Sequence, residues 1–213
     1  MNKMKLHASR AVSQRTLSAQ RPFMLVRPRA QATSATNSEP QQLKQVKLKL
    51  TPFTPENIKP FGQIISSCED GKLFDQDEAQ LVLNQGTPRF YIMRLPLRGL
   101  TFRRITYHAH VTQCLGSLTP PHPWYVALAA PSGSVERFPQ PQELRVFRIP
   151  FGAVLKLHLG TWHAGPLFPR PAHMDFLNLE LADTNVTDHN THDYARQQGL
   201  EFVVVVDEEG EQG

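Results

Sequence analysis

Five side chains carry the types and spacing that do chemistry: His108, His110, Gln113, His158 and His163. His108 and His110 are two apart and would share one face of a strand. His158 and His163 straddle Gly160, so one leaves a strand, the other leaves a turn, and both can point into one space. Three or four imidazoles converging in a barrel would bind a first-row divalent metal such as zinc, with His108, His110 and His158 as ligands. The same imidazoles, kept neutral, would instead exchange protons near neutral pH. No carboxylate follows the His-x-His pair at the third-ligand position; Gln113 does, and an amide oxygen is a weak ligand.

Other polar groups offer a grip on a small acid. Arg89 follows the turn Asn84-Gln85-Gly86, and a guanidinium in a pocket holds a carboxylate by two parallel bonds. Asn84 would offer a side-chain amide, or simply accommodate the turn. Lys156 precedes His158 by two and shares its face, either as a buried base or as a surface strand lysine. Arg103 and Arg104 are adjacent, so one of them should face inward. Asp175 and Glu180 are an odd number apart and fall on opposite faces, so they form no acid/base dyad. Trp124 and Trp162 read as core, with Trp162 a candidate pocket wall. Phosphate-loop, serine-hydrolase elbow and zinc-protease helix signatures are absent.

The elements that must position these groups are short strands. Val46–Leu50, Gln63–Ser66, Leu81–Leu83, Arg89–Leu95, Leu100–Tyr107, Trp124–Ala129, Arg145–Ile149, Val154–Leu159, Met174–Leu181 and Glu201–Val206 alternate or run apolar between turn signals. Gly116–Pro123 reads as a proline turn, Asp183–Asp193 as a loop, and Ala164-Gly165-Pro166 as the end of a ladder. Thr54 followed by Pro55 caps one short helix to about Phe61. The pattern predicts an all-β, antiparallel β-barrel or sandwich with that single N-terminal helix.

The 213 residues carry a formal charge of +4. Seven of the 23 basic residues precede the first acidic one, Glu39, which leaves 16 against 19 acidic residues in the rest. The basic balance therefore belongs to the leader. Residues 1–42 are Arg- and Ser-rich, then Ala/Thr/Gln-rich, the composition of an organellar transit peptide and linker. A plastid is favoured over a mitochondrion, and residues 43–213 form the one folded domain. No basic stripe interleaved with aromatics marks a nucleic-acid partner, and no apolar run is long enough to span a membrane. Cys68 and Cys114 belong to no motif and are expected as free thiols.

With these residues in place, Val46–Asp188 resembles the ureidoglycolate lyase (ureidoglycolate hydrolase) family. The carriers are Thr54-Pro-Glu-Asn-Ile-Lys-Pro-Phe-Gly62, Asn84-x-Gly86, Arg89, His108-x4-Gln113, Val126–Pro131, Leu157-His-Leu-Gly-Thr-Trp-His163 and Asp175-Phe-Leu177. Wording such as Arg89-Phe-Tyr-Ile-Met-Arg94 is similar to the plant and green-algal version. His110, Gly165 and the segment Asp188–Tyr194 depart from the bacterial pattern. The resemblance implies a cupin-type barrel (a double-stranded β-helix), usually a homodimer, and a divalent metal, nickel in some descriptions. It implies cleavage of ureidoglycolate to glyoxylate and urea in allantoin and purine breakdown. The expected roles are His163 and His108 as catalytic pair, Arg89 on the substrate carboxylate, and Asn84, Gln113 and Lys156 as further substrate contacts. The alternatives are another metal-dependent cupin enzyme acting on a small hydroxy or oxo acid, and a non-catalytic small-acid binding module.

Overall fold

The computed structural model describes residues 42–134 and 136–206, all within the compact unit Pro40–Gly213. The leader and the acidic tail lie outside the described residues.

Among the described residues thirteen strands form two sheets, the all-β, barrel-like architecture expected. In chain order they are β1 (Lys44–Thr51), β2 (Gly62–Ile65), β3 (Pro88–Pro96), β4 (Thr101–Phe102), β5 (Arg104–Tyr107), β6 (Gln113–Ser117), β7 (Trp124–Ala129), β8 (Arg145–Ile149), β9 (Val154–Leu157), β10 (Trp162–Leu167), β11 (His173–Leu181), β12 (Asn190–Asp193) and β13 (Leu200–Val205). One sheet runs β12-β5-β10-β7-β8-β1-β13-β4, the other β2-β9-β6-β11-β3. Pairing is antiparallel except at β1, which runs parallel to both β8 and β13.

The eight-stranded sheet is covered on both faces. Along β7, Trp124, Val126 and Leu128 join a core shared with Leu115, Leu155, Leu157 and Phe176 of the other sheet. The alternate residues Tyr125, Ala127 and Ala129 join a second core with Phe102, Ile105, Trp162 and Phe202. A strand packed on both sides needs apolar residues throughout, which is why Trp124–Ala129 shows no alternation. Val126 and Leu128 each contribute roughly 1.5–3 kcal/mol through removal from water.

Helix α1 (Pro55–Ile58) begins where the sequence places it, with Thr54 Oγ1 accepting from Asn57 N at 3.3 Å and Pro55 in the first turn. It stops at Ile58, short of Phe61. The segment read as a loop holds α2 (Thr184–Thr187) and β12, and α3 (Tyr194–Gln198) follows. Asp193 caps α3 and Gly199, at φ 66°, ends it. Leu81–Leu83 forms no strand. Gln113–Ser117, in contrast, is a strand running into the turn expected at Gly116. The ladder also does not end at Ala164. β10 continues to Leu167 through a register shift between Ala164 and Leu167. Gly165 takes φ 141° there, and a Cβ would approach the Tyr125 carbonyl oxygen to 3.0 Å, so glycine is required by both conformation and space.

Candidate functional site

β10 places His163 on the inner face of its sheet, opposite Leu128 of β7 and Thr106 of β5. Its neighbours Trp162 and Ala164 turn to the outer core. His108 follows the last residue of β5, and the two imidazoles face each other with ring centroids 5.0 Å apart. Both line one cavity of about 580 Å³ with Gln113, Arg98, Asn185 and His189. Met93, Leu95 and Leu115 supply an apolar wall.

The tautomer of each histidine follows from its neighbours. His108 Nδ1 lies 2.6 Å from the backbone carbonyl oxygen of Asp188, which only accepts, so Nδ1 carries the hydrogen. Nε2 is left with its lone pair. His163 Nδ1 makes the corresponding, longer contact of 3.3 Å with the Thr161 carbonyl. Burial, and to a lesser degree His108 beside it, hold the His163 pKa down to about 3 against the opposing pull of the Thr161 carbonyl. His108 is lowered too, chiefly by burial, with the Asp188 carbonyl and carboxylate pulling the other way. Both rings are therefore neutral near pH 7.

His110 is not a partner of His108. The chain bends after Tyr107, so the two-residue strand period no longer applies. The Ala109 and His110 amides donate to the two Asp188 carboxylate oxygens, each at 2.8 Å, and the His110 side chain is exposed. His158 is also elsewhere. Its Nδ1 lies 2.8 Å from Lys156 Nζ and its Nε2 3.1 Å from the Lys59 carbonyl. Lys156 does share a face with His158, but on the side of β9 away from the cavity, beside Cys114. It is only 2% exposed, and burial lowers its pKa. The two histidines around Gly160 thus belong to different sheets, His158 at the end of β9 and His163 on β10, and only His163 lines the cavity.

The expected ligand set therefore does not fit a metal. His108, His110 and His158 do not converge, and both ring nitrogens of His158 are engaged. Among the described residues no group of three or more His, Cys, Asp or Glu side chains is placed to hold a metal ion.

Arg89 stacks its guanidinium over the Tyr91 ring at 3.6 Å, does not line the cavity, and is exposed, as is Asn84 in its turn. Arg98 also lines the cavity. Arg103 and Arg104 line the cavity as well, but pair with Glu201 and Asp193 at 2.8 and 3.0 Å. Among the described residues the Arg98 guanidinium has no acidic partner. Much of the side chain is exposed, yet burial around its charged end lowers its pKa with no carboxylate to offset it. Arg98 sits in the loop after Pro96, where no periodicity indicates a direction, so the sequence offered no signal for it. Asp188 and His189 were equally hidden, because their partners lie about 80 residues away.

Gln113 enters the cavity wall as expected, and a buried polar set holds it. Its Nε2 donates to Asn178 Oδ1 at 3.1 Å and to Glu180 Oε2 at 3.0 Å. Tyr91 Oη donates to Glu180 Oε1 and accepts from Asn178 Nδ2. Asp175 is on the outer face, paired with Arg94, so the two acids do lie on opposite sides. Trp162 is core and walls a different cavity, of about 410 Å³.

Compared with known proteins, the chain matches no family model and no curated sequence. No helix among the described residues is long and apolar enough to cross a membrane.

Proposed function

We propose that the chain is a carbon–nitrogen lyase that cleaves ureidoglycolate to glyoxylate and urea. The observation that carries this reading is the pair of neutral imidazoles, His108 and His163, in one cavity with the unpaired Arg98 guanidinium. The choice of substrate comes from the sequence resemblance.

Ureidoglycolate carries a carboxylate, a hydroxyl and a ureido nitrogen on one carbon. Its cleavage needs the hydroxyl proton removed and the departing nitrogen protonated. Arg98 binds the carboxylate and so fixes the carbinol carbon. His108 takes the hydroxyl proton on Nε2, since its Nδ1–H is committed to the Asp188 carbonyl. The nearby Asp188 carboxylate favours the imidazolium that results. As the oxygen closes to a carbonyl and the C–N bond breaks, the imidazolium returns the proton to the ureido nitrogen. Glyoxylate and urea leave, and His108 is neutral again. His163, too buried to hold a proton at neutral pH, accepts a hydrogen bond from the substrate and does not compete for the proton.

The same reading makes the protein a homodimer, as the resemblance implies, and gives its basic leader the job of organellar, preferentially plastid, targeting. The test is incubation with ureidoglycolate and measurement of glyoxylate, urea and ammonia. Glyoxylate with urea and without ammonia is expected. Ammonia would make it an amidohydrolase, and absence of turnover would overturn the lyase.

A further inference from the structure

Gln113 has spent both of its amide hydrogens on β11, and its carbonyl oxygen Oε1 is buried with no hydrogen-bond partner. The orientation of the amide is not free. Asn178 Nδ2 donates to Tyr91 Oη, which fixes Asn178 Oδ1 toward Gln113. Tyr91 Oη–H and Asn185 Nδ2 donate to Glu180 Oε1, which leaves Glu180 Oε2 for Gln113. A flipped Gln113 would set its carbonyl against two acceptors. The set therefore fixes the Gln113 oxygen as a buried acceptor without a partner, in a residue that lines the cavity. A buried acceptor left without a donor is costly, so a ligand that supplies one is favoured over a ligand of the same shape that does not.

The geometry points to Gln113, oriented by Glu180, Asn178 and Tyr91, as the element that selects a ligand bearing an N–H donor, such as a ureido or amide group, over a ketone or ester of equal shape. This inference rests on the reading of the cavity as a site for a small carboxylate. Glu180, Asn178 and Tyr91 are positioning residues, acting on the ligand only through Gln113.

Two probes separate the inference from that reading. N-carbamoylglycine carries a carboxylate and a ureido group and lacks the hydroxyl needed for cleavage. Levulinate has the same skeleton, with CH₂ and CH₃ where the ureide has NH and NH₂. Binding of each to the full chain is measured by titration calorimetry. The wild type is expected to bind N-carbamoylglycine at least about tenfold more tightly than levulinate. Gln113→Met should bring both probes to the levulinate affinity. Glu180→Gln should let the amide turn, cutting the preference below about threefold while levulinate binding holds; Tyr91→Phe repeats the test if Glu180→Gln does not fold. Equal binding of the two probes by the wild type would overturn the selection and leave the carboxylate site standing. Binding of neither would overturn both. A parallel loss of both affinities in a folded Glu180→Gln or Tyr91→Phe would reduce the hydrogen-bonded set to a structural role.

Discussion

His108 and Asp188 are joined twice. The Asp188 carbonyl takes the His108 Nδ1 hydrogen at 2.6 Å, and the Asp188 carboxylate takes the next two amides, those of Ala109 and His110. One residue thus sets both the ring's tautomer and the bend that brings the ring into the cavity.

Removing that carboxylate should cost both stability and activity. Asp188 is buried, so Asp188→Ala would strand two amide hydrogens, at about 1–3 kcal/mol each before relaxation. Urea unfolding should register a loss of about 2–4 kcal/mol, with turnover falling further than the folded fraction does. Unchanged stability would mean that water replaces the carboxylate and that the bend does not depend on it.

The two histidines nearest in sequence to the Gly160 break should behave differently. His108→Gln is expected to lower kcat for ureidoglycolate by about a hundredfold or more, and His163→Ala, which removes a hydrogen-bond acceptor and not the proton carrier, by about tenfold. His158→Ala, at the end of β9 and outside the cavity, should change it by less than about threefold. Full turnover in folded His163→Ala would remove that residue from the mechanism.

Arg98 and Arg89 make a second contrasting pair. Loss of a charge-assisted hydrogen bond is worth about 1.5–3 kcal/mol, so Arg98→Ala should lower kcat/KM by about 10- to 100-fold, mostly through KM. Arg89→Ala should leave it within about threefold. The reverse pattern would return the carboxylate to Arg89.

The pH dependence of stability follows from His163. Its folded pKa, about 3, lies below the ordinary value of 6.5, so between them the unfolded chain binds a proton that the folded chain refuses. Stability from this group is complete above pH 6.5 and is lost as pH falls toward 3, by about 1.4 kcal/mol per pH unit. His108, His158 and His192 are lowered in the same direction and add to the slope. His163→Phe should flatten the stability profile between pH 4 and 6 by about one proton's worth, measured by urea unfolding across that range. An unaltered slope would show that His163 is protonated in the folded protein.

Lys156 offers a check on the opposite side of β9. Its lowered pKa means that the folded chain sheds a proton that the unfolded chain keeps until near pH 10.5. Stability from this group therefore rises with pH across the window below 10.5. Lys156→Met should remove that rise, hold or raise the melting temperature at pH 7, and leave turnover intact. Lost turnover would bring Lys156 back as a substrate contact.

How much the sequence revealed depended on how local the cause was. β7 and β8 were legible to the residue, β7 as an apolar run between Pro123 and Pro131 and β8 as a segment of mixed apolar and basic residues that ends at Pro150. β10 was not, because Gly165 and Pro166 announce a break and only the facing strand β7 shows that a bulge absorbs them. The cavity was half legible. His163 and Gln113 were expected there from their residue types, the one leaving a turn and the other beyond a strand, whereas both stand on strands, β10 and β6. His108 and His110 were misread as a pair because the strand was extended past Tyr107. The bend that separates them is enforced by Asp188, which no local pattern ties to it. Arg98 lost to Arg89 for a related reason: Arg89 lies on a strand of predictable face, and Arg98 in a loop with none.

β1 has a further consequence, for the order in which the protein assembles. It sits between β8 and β13, and its partner along β13 is 156 residues away, as Gln45 and Glu201 are. The first strand made must therefore wait for the last. Until β13 leaves the ribosome, β1 has an unsatisfied edge and the outer core lacks Phe202 and Val204. A chain held unfinished in this way stays threadable for as long as synthesis lasts. That makes β1 and β13 the pair whose late closure locks the domain.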